Sequence, residues 1–319
     1  MTGAWRARAL SVAVGSLLLA AACASDESGG GITPPPSPRP PTPSPVYDPT
    51  AWVTSSDGTV PVVIIAPHGG ELSPDSLPVR VCSGCVTVND ANTQALAQEL
   101  AAAFNRRIGR RPFLVINRLH RLRFDGNREQ AEATASYAPL FPVWEHWQAS
   151  IDSARARATR LHPRALVIDL HGHGHTIQRL ELGYLLTAAQ LRLTDAQLHA
   201  TVTNSSVARL HQLKPLSDSG ASLIRGPRSL GSRLAALGVP AVPSDATPAP
   251  LVGEEYFNGG YNTDRHGSRV GGATDAIQIE AHFTGVRDTE ANRRAFAEHL
   301  VTALLGLLAD YYGWTPPSP

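Results

Sequence analysis

The 319-residue sequence predicts an α/β fold, organised as a single-domain three-layer sandwich. Two observations lead there. Short apolar runs rich in Val and Ile recur along the chain, each bounded by Pro, Gly or a charge, as buried strands are. Between them lie longer helix-like stretches with polar caps at their starts. Strand alternating with helix, and no internal repeat, is the pattern of a sheet covered on both faces.

The strand signals, in order, are "VPVVIIAP" from Val60, "PFLVINR" from Pro112, "RALVIDLHG" from Arg164 and "DAIQIEAHF" from Asp275. The helical stretches are "NDANTQALAQELAAAFNRRIG", closing at Gly109, then "YAPLFPVWEHWQASIDSARARATRLHP", "TDAQLHATVTNSSVARLHQL" and "DTEANRRAFAEHLVTALLGLLADYYG". From about Lys214 to Arg269, Gly, Pro, Ser and Asp predominate, predicting long loops and a short helix. The formal net charge of +1 gives no reason to expect nucleic acid as a partner.

Residues 1–23 read as an export signal: a basic start, a short apolar segment and then small residues. "LAAAC" at its end resembles the lipobox of bacterial lipoproteins, which implies lipidation of Cys23; ordinary cleavage with a free Cys23 is the alternative. Residues 24–50 are rich in Pro, Ser and Thr and predict an extended tether that builds no core. A catalytic domain is expected at 51–315, exported and held at a membrane by a lipid anchor, either periplasmic or at the cell surface. In an oxidising compartment, Cys82 and Cys85 of "CSGC" are expected to form a short-loop disulfide, with free or redox-active thiols as the alternative.

In open α/β sheets, ligands bind beyond the carboxyl ends of the strands, so residues there matter most. The first run ends in "PHGGE", and its glycines permit a tight reversal that brings His68 and Glu71 to one point; a surface turn with a capping Glu is the alternative. The third ends in "DLHGHGH". Extended chain would place Asp169, His171, His173 and His175 on one face, as metal ligands and their supports or as a hydrogen-bonded polar loop. The last run places Glu280 among apolar residues, either as a general base beside metal-activated water or on the exposed face of an edge strand. Arginines in "NRLHRLRFDGNR" suit an acidic substrate, although Arg121 and Arg123 read better as surface charges.

Taken together, "PHGGE", "NRLHRLRFDGNR", "DLHGHG" and "GGYNTDRHG" leading into "IQIEAH" resemble the N-formylglutamate amidohydrolase family, a relative of the zinc carboxypeptidases. The resemblance implies a carboxypeptidase/phosphorylase-hydrolase-like fold with a mixed central sheet and one Zn2+ per chain, held by His68, Glu71 and His171. It implies Glu280 as the glutamate that activates water, and Asn127 with Arg128 as the pair that grips a substrate carboxylate. Arg118 would assist them, and His173, His175 or His266 would stabilise an oxyanion or line the pocket.

The activity implied is zinc-dependent hydrolysis of amide bonds in N-acyl amino acids or acidic peptides, with a carboxylate-bearing small molecule or peptide as partner. Export favours substrates outside the cytoplasm. One rival is a non-catalytic surface lipoprotein that captures metal through "HGHGH"; another is a TIM-barrel amidohydrolase using the His-x-His pair.

Overall fold

The structure is a computed structural model that describes residues 45–215 and 217–317. The expected export signal, Cys23 and most of the tether lie outside the described residues. Tyr47, near the expected end of the tether, packs against Trp52 with tilted rings, centroids 5.1 Å apart, and donates a hydrogen bond to the Ser76 carbonyl.

Seven strands form one sheet: β1 (Val53–Ser56), β2 (Val62–Ala66), β3 (Phe113–Asn117), β4 (Ala165–Gly172), β5 (Leu180–Gly183), β6 (Ala241–Val242) and β7 (Thr274–Ala281). Their spatial order is β1-β3-β2-β4-β7-β5-β6. The central four, β3, β2, β4 and β7, are parallel, so their carboxyl ends share one edge of the sheet. β1 is antiparallel to β3, and β5 is antiparallel to β7 while parallel to β6. The sheet is therefore mixed, as expected, and it is open rather than closed into a barrel.

Successive residues of a strand point to opposite faces, and both faces of β2 are buried. Val62, Ile64, Ile168, Leu170, Ile277 and Ile279 pack on one side against the helices Thr93–Ile108 and Glu290–Leu307. Val63, Ile65, Val115, Val167 and Ala276 pack on the other against the helix Phe141–Leu161, which contributes Trp147 and Ile151. Helices on both faces complete the three layers.

The second face changes character along the strands. On β4 it runs Val167, Asp169, His171, and on β7 it runs Ala276, Gln278, Glu280. It is apolar where the helix covers it and polar toward the carboxyl ends. β7 lies between β4 and β5, so Glu280 is on an interior strand and is 5% exposed.

Two details depart from the sequence reading. The helix expected from Thr194 breaks into Asp195–Thr201 and Ala208–Leu213, because Ser205 and Ser206 turn inward and Ser206 Oγ donates to the Ala276 carbonyl at 2.6 Å. The stretch from Lys214 to Arg269 holds three short helices, Gly220–Arg225, Leu230–Ala236 and Tyr261–His266, together with β6. Cys82 and Cys85 form the expected disulfide. Among the described residues, no helix is long and apolar enough to cross a membrane.

Candidate metal centre and active-site cavity

The carboxyl ends of β2, β4 and β7 open into a cavity of about 570 Å³. His68 follows β2, while His171 sits on β4 directly beside Glu280 of β7 in the parallel register. The two imidazoles meet edge to face, with centroids 4.8 Å apart. Between them comes Asp90, from the turn that opens the helix Thr93–Ile108. Its Oδ2 lies 3.2 Å from His68 Nδ1 and 3.1 Å from His171 Nδ1, and all three residues are buried.

Each imidazole is held from behind by a second carboxylate. His68 Nε2 is 2.6 Å from Asp125 Oδ1, and His171 Nε2 is 2.9 Å from Asp169 Oδ1. Asp125 is gripped in turn by Arg121 at 3.0 Å and Arg80 at 3.2 Å, and Asp169 accepts from Thr263 Oγ1 at 3.0 Å. A carboxylate on the far nitrogen fixes ring orientation and raises basicity, which is how metal-binding histidines are commonly supported.

The glycines of "PHGGE" bring Asp90 into place rather than Glu71. A Cβ on Gly69 would collide with the Gln94 backbone nitrogen and Thr93 Oγ1, so only glycine lets the chain pass this close to the helix start. A Cβ on Gly70 would collide with the Arg118 carbonyl group. There the chain stays extended: Leu72 N–H donates to the Arg118 carbonyl at 2.9 Å, and His120 N–H donates to the Leu72 carbonyl at 2.8 Å. Glu71 is thus carried outward; it is exposed and lies outside the donor group. In place of the expected His68, Glu71 and His171, the converging residues are His68, Asp90 and His171.

The electrostatics match this geometry. Burial opposes ionisation of Asp90, but the neighbouring His68 and His171 outweigh it and hold its carboxyl well below the usual range. Burial likewise disfavours charge on His171, yet Asp169 and Asp90 prevail and hold it well above the ordinary imidazole value. Burial pushes Glu280 up to about 8; His171 opposes this, while Asp90, Glu181 and Asp169 add to it.

Asn127 and Arg128 also line the cavity. Asn127 Nδ2 is 3.4 Å from His171 Nε2, and its Oδ1 accepts the Asn262 N–H at 2.8 Å. Arg128 is steadied by Glu132 at 2.7 Å and by the Asn127 carbonyl at 2.8 Å. Arg118 takes no part: its guanidinium reaches the Ala51 carbonyl at 3.3 Å, on the β1 side. His266 is buried away from the cavity, bonded to Gln148 Oε1 at 2.9 Å and close to Arg155 and Asp152.

His173, His175 and Glu181 form a second cluster of possible donors. His173, however, accepts the His175 N–H on Nδ1 at 3.1 Å and donates from Nε2 to the Arg179 carbonyl at 2.8 Å. Neither of its nitrogens has a lone pair to spare, so it braces the cavity wall. His175 lies at the cavity with Nδ1 donating to Glu181 Oε1 at 2.8 Å.

Asp90, Asp125 and Glu181 were not singled out by the sequence motifs, and Arg121 is a buried ion partner rather than a surface charge. Asp125 did lie within "RFDGNR", and its buried neighbours explain that motif. A larger hollow of about 770 Å³ beside Leu191 and Pro250 is lined by none of the clustered metal-donor residues found among the described residues.

No family model matches the chain, and no curated protein matches it in sequence. Solved structures do. An N-formylglutamate amidohydrolase from Ralstonia eutropha JMP134 is 13% identical, with 82% of this chain and 98% of that one covered and a TM-score of 0.47. A bacteriophage poly-gamma-glutamate hydrolase is 14% identical, with 82% and 90% covered and a TM-score of 0.37. A zinc-free apo form of YNDL is 15% identical, with 81% and 91% covered and a TM-score of 0.33. The first of these structures carries the name of the family that the sequence motifs resemble.

Proposed function

We propose that this chain is a metal-dependent hydrolase of amide bonds, acting on N-acyl amino acids or peptides that carry a carboxylate. The observation behind this reading is the convergence of His68 Nδ1, His171 Nδ1 and Asp90 Oδ2 beside Glu280, with each imidazole backed by its own carboxylate. Two nitrogens and one carboxylate oxygen suit zinc, and three protein ligands leave a position open, as catalytic zinc sites do. We assign one ion per chain. When bound, such an ion polarises a carbonyl and lowers the pKa of water.

The chain's own groups supply the rest. Glu280, set beside His171 in the parallel register, takes a proton from the attacking water and later returns it. Arg128, steadied by Glu132, offers a fork for the substrate carboxylate. Asn127 is fixed through Asn262 and orients the substrate beside His171. Action outside the cytoplasm, at a membrane anchored through Cys23, belongs to the same proposal and rests on the export signal and tether read from the sequence.

The test is Glu280→Gln, assayed by metal analysis and by turnover of a panel of N-acylglutamates and short acidic peptides. Turnover is expected to fall by about 10²–10⁴-fold while one metal per chain remains. Full activity in the variant would remove Glu280 from this role.

A further inference from the structure

Three adjacent strands carry a row of functional side chains. His171 on β4 is the register partner of Glu280 on β7, and Glu280 is in turn the register partner of Glu181 on β5. Paired residues in a sheet project to the same face, and neighbouring strands lie about 4.8 Å apart. Glu280 therefore stands midway between the His171 side of the metal centre and Glu181, roughly 10 Å beyond it. The proposed hydrolase reading employs His171 and Glu280 and leaves Glu181 without a task.

Glu181 is fully buried, and a buried carboxylate is costly without partners. One oxygen accepts the Phe257 N–H at 2.7 Å, and the other accepts from His175 Nδ1 at 2.8 Å. The His175 ring lies flat on Phe257, with centroids 4.5 Å apart and an interplanar angle of 16°. The imidazole is thereby fixed in position, in tilt and in the nitrogen it gives to the carboxylate. Nε2 makes no hydrogen bond among the described residues; the exposed Glu255 lies 3.8 Å away, and the His173 ring is 5.0 Å off. His175, Phe257 and Glu280 line the same cavity.

We propose that His175 is a second catalytic residue, the acid that protonates the departing amine, and that Glu181 is its positioning residue. The proposal rests on the hydrolase reading above. Water adds its oxygen to the amide carbonyl carbon and gives a proton to Glu280. The carbon–nitrogen bond then breaks with its electron pair left on nitrogen, and protonated His175 supplies the proton from Nε2 that this nitrogen needs. Transfer of the Glu280 proton to His175 restores both groups. An amide needs such an acid because an amine anion is a very poor leaving group; an activated ester does not. The row also orients the substrate, with its carbonyl near His171 and its amine side toward β5.

The experiment compares His175→Asn with the unaltered chain on two compounds, an N-acylglutamate that the unaltered chain hydrolyses and the para-nitrophenyl ester of the same acyl group. Amide turnover is expected to fall by about 10²–10³-fold, with a loss on the ester at least roughly tenfold smaller. Equal losses on both compounds, or no loss on the amide, would overturn the assignment. If His175→Asn does not fold, Glu181→Gln is measured in the same way, with the same amide-selective loss expected and the same refutation. An unaltered chain that binds no metal and hydrolyses no amide would sink the hydrolase reading itself; an active one with an unselective variant would sink only the role of His175.

Discussion

Replacing Asp90 with Asn removes the one carboxylate among the three converging donors and leaves a side chain of the same shape. Oδ2 of Asp90 touches both imidazole Nδ1 atoms, at 3.2 and 3.1 Å, and accepts the Gly172 N–H at 3.2 Å. An amide oxygen can still accept from Gly172, so the fold should survive, but it brings no negative charge to a cation. Removing a supporting partner of a metal ligand typically costs about 10–100-fold in affinity, and losing the charged ligand must cost more. We expect at least about 10³-fold weaker zinc binding, equivalent to about 4 kcal/mol, read by competition with a chromogenic chelator at fixed pH. Glu71→Gln is the matched control: Glu71 is exposed and outside the donor group, so its replacement should leave affinity within about twofold of the unaltered chain. The melting temperatures of the metal-free forms check that both variants are folded. Near-normal binding by Asp90→Asn, or a comparable loss in Glu71→Gln, would refute the donor set.

Further expectations follow from neighbouring contacts. Gly69→Ala forces a methyl group into the start of the helix Thr93–Ile108 and should cost about 1–3 kcal/mol of stability, with weakened zinc binding as Asp90 shifts from His68; denaturant unfolding and the chelator assay read the two effects. Arg128→Gln should raise KM by about 10–100-fold, the worth of a charge-assisted hydrogen bond, with a smaller change in kcat, as steady-state kinetics would record. The pH dependence follows from His171, which Asp169 and Asp90 hold above its ordinary value against the opposing pull of burial. A metal must displace this proton, so affinity should rise with pH by about tenfold per unit for each proton released, until the folded-state pKa is passed. In the metal-free chain the sign reverses: a raised folded pKa gives stability that is complete below about 6.5 and lost as pH rises through the folded value. Melting of metal-free chain across pH checks this.

The four parallel strands were legible because both of their faces are buried, which leaves near-continuous apolar runs. β1 was not legible, since three of its four residues are exposed and polar in "VTSS". β5 was hidden by Glu181 within "LELG", and β6 is only two residues long. At the site, His68, His171 and Glu280 were readable as polar residues at the ends of apolar runs. Asp90 was not, because it lies 22 positions after His68 in the chain, and its "ND" context reads as a helix cap. The short H-x-x-E spacing pointed to Glu71 instead. Glu71 is carried outward by the close passage of Gly70 against Arg118, a contact between distant segments that no local pattern records.

The central claim, that one ion at His68, Asp90 and His171 supports amide hydrolysis, is tested most directly by adding zinc back to chelator-stripped protein while following hydrolysis of an N-acylglutamate. Activity should be lost on stripping, rise in proportion to added zinc and saturate at about one equivalent per chain. Undiminished turnover in stripped protein, or uptake of several weakly held ions without turnover, would contradict it.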